Sequence, residues 1–321
     1  MKYLFIRLHE ACNAGCWFCN FAKSNDRFRL SPEKYQEILE ECLRQKVNYI
    51  RFTGGEPLLD LNLPTYIRQA TDLGIKCSII TNGSLLSRNV AKLKAAGLSQ
   101  IIVSIDDIGE NHNNNRQIKD LYNKAIDGLK RCKELGILTR VNTVCGPHNY
   151  KRMPQLKEEF SKIGVDYWEL SALKLEEKIE YDATYDEIHE VIEKVYFSDD
   201  GIIPFGKMWC GDTLQEQNMY FKESIPPRVR TECSMTSRVR YYDAKNNNIY
   251  VCSLLPHRGL PKEDYYHFSE NEKFAYTNDA IDRIAQKYRI HGKEICNGCS
   301  STAAFYGERD YSYSEKSDWE Y

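Results

Sequence analysis

From residue 1 to about residue 170 the chain alternates short apolar runs with longer amphipathic stretches, and this alternation narrows the fold more than any other feature. "YLFIRL" (3–8), "YIRFT" (49–53), "KCSIIT" (76–81), "QIIVSI" (100–105), "TRVNTV" (139–144) and "DYWEL" (166–170) read as strands. Several are apolar on successive residues, the pattern of strands buried on both faces. Helix signals fall between them. "SPEKYQEILEECLRQ" offers Ser31 as N-cap, Pro32 at the first helical position and Glu33 in the first turn. "NVAKLKAAG" stops at Gly97, and the stretch from Asp120 to Leu135 stops at Gly136, both placed as helix-ending glycines. Strands each followed by a helix imply parallel β/α units with right-handed crossovers. Six such units curl into a partial (β/α)6 TIM-like barrel more naturally than into a flat sheet. In either case ligands collect at the carboxyl ends of the strands.

The texture changes further on. "TYDEIHEVIEKVYF" (184–197) is one more amphipathic helix, and "SIPPRVR" (224–230) reads as a linker. "RVRYYDAKNNNIYVCS" alternates around Asn246, Asn247 and Asn248 and reads as a hairpin, and a helix around 278–289 leads to "CNGC". The expected organisation is an α/β barrel over 1–223 and a small α+β domain over 224–321. The tail "GERDYSYSEKSDWEY" is polar, aromatic and expected to be loosely held.

Lysine and arginine (44) nearly balance aspartate and glutamate (46), and no basic run stands out, so bulk attraction to nucleic acid or anionic lipid is not expected. No segment approaches a spanning length of about 18 apolar residues. "KYLFIRL" at the start is too short for a signal peptide. The expected setting is cytoplasmic. Twelve cysteines in such a chain point to metal sites or core thiols before disulfides.

Three of them, Cys12, Cys16 and Cys19, follow directly on the first strand in "ACNAGCWFCN". Closed zinc and iron–sulfur sites take four protein ligands, so either another cysteine supplies the fourth from elsewhere in the fold or the position is meant for something that is not protein. Further elements fall at the ends of the next strands in order. "TGGEP" (53–57) follows the second, with Gly54 and Gly55 expected to let backbone approach a ligand closely. "TNG" (81–83) follows the third, "SID" (104–106) ends the fourth, and Arg140 and Asn142 lie on the fifth.

This set resembles the radical S-adenosylmethionine (SAM) superfamily over roughly the first 170 residues. The resemblance implies a 4Fe–4S cluster on Cys12, Cys16 and Cys19, with its fourth iron left for SAM. It also implies reductive cleavage of SAM to a 5′-deoxyadenosyl radical that abstracts hydrogen from a substrate. By the same carry-over Phe18 meets the adenine, Gly54, Gly55 and Glu56 the methionine amino group, and Thr81, Ser104, Arg140 and Asn142 the ribose or carboxylate. A flavodoxin- or ferredoxin-type reductant is implied as well. Trp17 and Phe18 would shield the cluster from water, or simply pack the loop.

Cys233, Cys252, Cys296 and Cys299 make a second set, closed at four thiolates. They suit a structural zinc or an iron–sulfur site. The arrangement resembles the twitch form of the SPASM domain, which carries an auxiliary 4Fe–4S cluster, and its spacing is like that of 2-deoxy-scyllo-inosamine dehydrogenase. Cys210 in "MWCGD" is either a packed thiol or a hydrogen-atom donor. Cys42, Cys77 and Cys132 read as core, and Cys145 is open. Glu169 and Lys174 read either as an acid–base pair at the barrel mouth or as salt-bridge partners. His9 and Glu10 are candidates to line the pocket, whereas His148, His257 and His291 read as solvated or capping residues.

An auxiliary cluster with four cysteine ligands has no open iron, so its natural role is electron transfer. Oxidation of a carbinol to a ketone is therefore the leading expectation, with epimerisation or peptide modification as alternatives. Peptide-modifying members often carry a leader-recognition domain, and the first cysteine here is at residue 12, which favours a small polar substrate of the sugar or aminocyclitol type.

Overall fold

The six apolar runs form strands β1 (Tyr3–Arg7), β2 (Tyr49–Thr53), β3 (Lys76–Thr81), β4 (Gln100–Ser104), β5 (Leu138–Cys145) and β6 (Tyr167–Ala172). Helices α1 (Pro32–Arg44), α2 (Leu63–Asp72), α3 (Leu86–Ala95), α4 (Gly109–Arg116), α5 (Leu121–Glu134) and α6 (Met153–Ile163) lie between them. The computed structural model describes residues 2–172, 235–253 and 260–291, with positions 187, 190, 191, 194, 195, 203, 204, 233 and 255–257. Beyond β6 it shows β7 (Ile203–Pro204), α7 (Met235–Arg238), β8 (Val239–Asp243), β9 (Asn248–Tyr250), β10 (Tyr266–His267) and α8 (Asp279–His291). The helix expected over 184–197 is helical at its described positions 187, 190, 191, 194 and 195. The linker at 224–230 and the polar tail lie outside the described residues.

The strands join in the order β10-β9-β8-β1-β2-β3-β4-β5-β6-β7. Strands β1 to β7 pair in parallel, as β/α crossovers require. The architecture is an α/β fold of the partial TIM-like barrel kind. Its helix signals act as expected. The Ser31 hydroxyl accepts from the Lys34 amide at 3.1 Å. Gly97 and Gly136 follow α3 and α5 with φ of +89° and +64°.

The central strands are buried on both faces, as their continuous apolar runs predict, but the two faces differ in chemistry. Leu4, Ile6, Ile50 and Phe52 join Ile38, Leu39, Cys42, Tyr66 and Ile67 of α1 and α2 in one core. Trp168 packs edge-on to Phe160 of α6 at 5.4 Å and donates to the Thr143 hydroxyl at 2.9 Å. The opposite face is polar. Arg51, Ser78 and Gln100 stand in register on β2, β3 and β4, and Arg51 donates to Ser78 at 2.9 Å and to Gln100 at 3.3 Å. Period-2 geometry puts every second residue inward, so "YIRFT" hides an arginine within a run that reads as apolar.

The described part of the C-terminal region continues the same sheet. β8 runs parallel to β1 with Tyr241 opposite Phe5 and Asp243 opposite Arg7. Arg7 Nε donates to Asp243 Oδ1 at 3.0 Å, and a second close contact joins Arg7 Nη2 to Asp243 Oδ2. Both side chains are buried, and removing one member of such a pair costs about 3–5 kcal/mol. The hairpin is present: β9 returns antiparallel on β8 through a turn whose Asn247 takes φ of +53°. No helix among the described residues is long and apolar enough to cross a membrane.

Candidate functional site

The cysteine triplet sits on the loop leaving the carboxyl end of β1, and main-chain hydrogen bonds fix that loop on three sides. Cys12 N–H donates to Ser24 C=O at 3.1 Å, and Lys23 N–H donates to Ala14 C=O at 2.7 Å. Gly15 N–H donates to the carbonyl of Arg116, at the end of α4, at 2.8 Å. Gly55 N–H and Glu56 N–H donate to His9 C=O and Ala11 C=O, each at 2.9 Å. A Cβ on Gly54 would lie 2.6 Å from His9 O, and one on Gly55 would lie 2.1 Å from Ala11 O and 2.3 Å from Glu10 O. The space that their side chains would need is taken by the main chain of the cysteine loop, a demand for glycine that stands beside the expected approach of a ligand.

Glu56 is fully buried, and its carboxylate knots two strand ends together. It accepts from the Thr81 hydroxyl at 2.6 Å, from Asn82 N–H at 2.7 Å and from Leu58 N–H at 3.1 Å. Burial pushes its carboxyl above the ordinary range, against these three donors and the charge of Arg116. Asn82 reaches the cysteine loop by donating to Asn13 Oδ1 at 2.9 Å. "TGGEP", "TNG" and the triplet thus form one hydrogen-bonded unit.

Cys16 is buried, Cys12 half-buried and Cys19 exposed. Burial pushes the Cys12 thiol up to about 11, opposed by the Ala14 amide and reinforced by Glu56, Cys16 and Cys19. Burial raises Cys16 too, while Arg116 pulls it back. Such thiols ionise only when a cation compensates them, so metal binding here would release protons. Among the described residues no three His, Cys, Asp or Glu side chains converge as ligands of one metal ion. Three thiols spread along a pinned loop suit a cluster, whose irons take separate thiolates, better than a single ion. The donor set therefore fits a 4Fe–4S group.

Arg116, which the sequence does not single out, and Asp106, the last residue of "SID", complete the surroundings. Arg116 pairs with the fully buried Asp106, its Nε and Nη2 at 2.8 and 2.7 Å from Oδ2. The other oxygen of Asp106 accepts Val144 N–H at 3.0 Å. The Arg116 guanidinium lies 5.9 Å from the centre of the Phe18 ring. No spacing rule connects these positions. Arg116 ends a helix, "GENHNNNR", that has no apolar period to announce it.

Ser104, Asn142 and Glu169 stand in register on β4, β5 and β6, making a polar row on the inward face. Arg140, two residues before Asn142, forms a close ion pair with Glu169. Of the two readings of Glu169, the structure shows a salt bridge, with Arg140 as the partner. Trp17 packs edge-on to Phe18 at 5.5 Å and to His148 at 5.8 Å. Both ring nitrogens of His148 are buried without a hydrogen-bond partner, which corrects its reading as a solvated or capping residue. Its ring fits against the cysteine loop through Trp17. Cys42, Cys77, Cys132 and Cys145 are fully buried core thiols. Cys233 is buried and tied by its amide to Arg289 C=O at 3.2 Å, and Cys252 is half-buried just beyond β9. Cys210, Lys174, Cys296 and Cys299 lie outside the described residues.

Two further histidines are buried neutral at this end of the sheet. Burial, with Arg29 nearby, lowers His9 to about 4 against a weaker pull from the Ala11 carbonyl, and burial with Arg116 lowers His112 to about 3. Their unfolded value is about 6.5. Between that value and the folded ones only the unfolded chain takes up the protons, so stability is complete above pH 6.5 and falls as the pH drops toward 4. At about 1.4 kcal/mol per unit and group, the loss by pH 5 is roughly 4 kcal/mol for the pair. Urea midpoints at pH 7.5 and 5.0 measure it; equal midpoints contradict the neutral burial of the two rings.

The comparisons with known proteins converge on this end of the fold. The chain is 31% identical over 166 residues to the "Probable GTP 3′,8-cyclase" of Sulfurisphaera tokodaii, covering 51% of this chain and 53% of that one. It is 32% identical over 149 residues to the "Fe-coproporphyrin III synthase" of Methanosarcina barkeri, covering 45% and 37%. The chain therefore spans about half or less of the length of these curated relatives. Among solved structures, SuiB of Streptococcus suis bound to S-adenosylmethionine superposes with a TM-score of 0.66 at 18% identity, covering 88% of this chain and 64% of that one. The anSMEcpe structure with AdoMet and the Kp18Cys peptide gives 0.65 at 13% identity, covering 99% and 96%. These two likenesses are of fold. Residues 6–160 match the Radical SAM superfamily, a span that includes the triplet, the "TGGEP" knot, Ser104 and Asn142. The first half of this chain, residues 6–160, belongs to the Radical SAM superfamily.

Proposed function

We propose that the chain is a radical SAM enzyme that takes a hydrogen atom from a small polar substrate, of the sugar or aminocyclitol type, and oxidises a carbinol to a ketone. What carries this reading is the hydrogen-bonded unit of the cysteine loop with Gly55 and Glu56 at the carboxyl ends of β1 and β2. When bound there, a 4Fe–4S cluster supplies the electron that splits SAM into methionine and the hydrogen-abstracting radical. Cys12, Cys16 and Cys19 would hold the cluster. The main chain of Gly54 to Glu56, the Phe18 ring, and Thr81, Ser104, Arg140 and Asn142 would hold SAM. The Arg140–Glu169 pair and Asn142 present charge and hydrogen-bonding groups on the inward face, which suits a polyhydroxylated substrate better than an apolar one. Cys233 and Cys252, with Cys296 and Cys299, would hold the auxiliary cluster as electron acceptor. A flavodoxin- or ferredoxin-type protein would be the reductant.

A second reading rests on a different observation. The "Probable GTP 3′,8-cyclase" of Saccharolobus solfataricus is 30% identical over 204 residues, which cover 61% of this chain and 66% of that one. In this reading the substrate is a purine nucleotide and the reaction a cyclisation. Epimerisation, with Cys210 returning hydrogen, and peptide modification complete the set. One experiment separates them. Anaerobically reconstituted protein with both clusters holds about eight irons per chain. Incubated with SAM, reductant and candidate sugars in deuterated water, a dehydrogenase gives a carbonyl product, whereas an epimerase puts deuterium on carbon. Formation of 5′-deoxyadenosine that depends on GTP and not on any sugar overturns the dehydrogenase reading in favour of the cyclase. About four irons plus zinc removes the auxiliary cluster from it.

A further inference from the structure

We propose that Arg116 is the resident cation of the cysteine loop: it holds the loop on the end of α4 and balances the charge of the thiolates, and so sets the potential at which a cluster bound there is reduced. This rests on the cluster assignment above and goes beyond it, since Arg116 belongs to none of the motifs from which the site was read.

Two observations carry the inference. The first is attachment. The carbonyl of Arg116 accepts Gly15 N–H at 2.8 Å, between Cys12 and Cys16. A Cβ on Gly15 would lie 2.6 Å from Gln117 Oε1, so the loop and the end of α4 are in close contact. The second is direction. The side chain turns back across Phe18, at 5.9 Å from the ring centre, and ends on Asp106 Oδ2. Arg116 is 7% exposed and Asp106 0%, so water does not screen this charge. Phe18 lies between Cys16 and Cys19, so one buried guanidinium stands both beside the cysteine loop and on the carboxylate it pairs with.

A buried ion pair made only for folding could sit anywhere in the core. Here Asp106 is already held by other groups: its backbone N–H donates to His112 Nδ1 at 3.2 Å, and its carbonyl accepts from Asn149 Nδ2 at 2.7 Å. The carboxylate is thus a fixed anchor, and it aims the guanidinium at the loop. Adding an electron to a cluster adds negative charge, and a fixed buried cation nearby favours that step. The net effect is set by the pair together, so the two members act with opposite sign.

The test is a redox titration of the anaerobically reconstituted full-length protein, without SAM, following the electron paramagnetic resonance signal that Cys16→Ala eliminates. Iron content is measured in parallel. Arg116→Gln shifts the midpoint to more negative potential, with at least a tenfold lower ratio of reduced to oxidised cluster at a fixed poise, equivalent to about 59 mV for one electron. Arg116→Lys restores most of the shift. Asp106→Asn keeps the shape, removes the opposing charge and shifts the midpoint the other way. A purely structural pair lowers thermal stability and leaves the midpoint of the assembled cluster where it was. An Arg116→Gln protein that loads iron normally and titrates like the wild type overturns the inference while leaving the cluster assignment intact. If that variant fails to load iron, Asp106→Asn decides: a midpoint unchanged or moved negative overturns the inference. A wild-type chain that holds no iron on Cys12, Cys16 and Cys19 overturns the assignment, and the inference with it.

Discussion

Cys16→Ala lowers the iron content of the reconstituted protein by about four per chain, and formation of 5′-deoxyadenosine from SAM falls to the background of the reductant alone. The effect is this large because Cys12, Cys16 and Cys19 would each hold a separate iron of one cluster, and the loss of one thiolate leaves the set incomplete. Cys16 is the most deeply buried of the triplet, at 6% exposed, so water is poorly placed to substitute for the missing sulfur. Cys132→Ala is the control. That thiol is equally a cysteine, and it is fully buried, but it packs into the core from α5. Its loss costs on the order of 1 kcal/mol and leaves both iron and SAM cleavage unchanged. Iron analysis and chromatographic detection of 5′-deoxyadenosine read the two variants side by side. A Cys16→Ala protein that still cleaves SAM contradicts the assignment of the triplet.

Gly55→Ala removes activity without touching a ligand. The added methyl would stand 2.1 Å from Ala11 O and 2.3 Å from Glu10 O, and both contacts are main chain, which has no rotamer to move aside. Either the "TGGEP" turn or the loop carrying Cys12 shifts. Either shift breaks the amide bonds from Gly55 to His9 and from Glu56 to Ala11. Overpacking of this kind costs typically about 1–3 kcal/mol, and a displacement of about 1 Å in a reacting geometry costs about 10²-fold in rate. The expected result is a folded protein of lower melting temperature, with reduced iron loading and SAM cleavage lower by about 10²-fold. Gly74→Ala is the comparison, because no atom lies within 4 Å of a Cβ placed there. Its positive φ of +78° costs stability alone. Wild-type iron loading and turnover in Gly55→Ala contradicts the close-approach explanation and returns the glycine to a role toward ligand.

How much of this was readable in advance depends on whether the signal was local. The six strands of the barrel lie within one residue of their expected bounds, except that β6 runs two residues further at its end. Apolar runs bounded by turn residues report burial directly. The N-cap at Ser31 and the glycines after α3 and α5 were readable because caps are set by neighbours one to four residues away. The triplet was readable for the same reason. α4 was not, since a helix of eight polar or glycine residues satisfies no apolar template. Arg140 and Glu169 were each noticed, but their pairing needed the β5–β6 register. His148 was misread because its burial comes from Trp17, 131 positions earlier in the chain.

Local chemistry in the sequence was enough to show parallel β/α units, three soft ligands at the carboxyl end of the first strand, and a pair of glycines at the end of the second. Only the tertiary structure decided what those glycines face, which carboxylate binds which strand end, and which cation stands beside the thiols. The physical reason is range. Strand period, capping and ligand spacing act over a few residues of chain, and their energies appear in the local pattern. Burial and charge act through space, so Glu56, Asp106 and Arg116 acquire their roles only when the sheet brings the ends of β1 to β5 together.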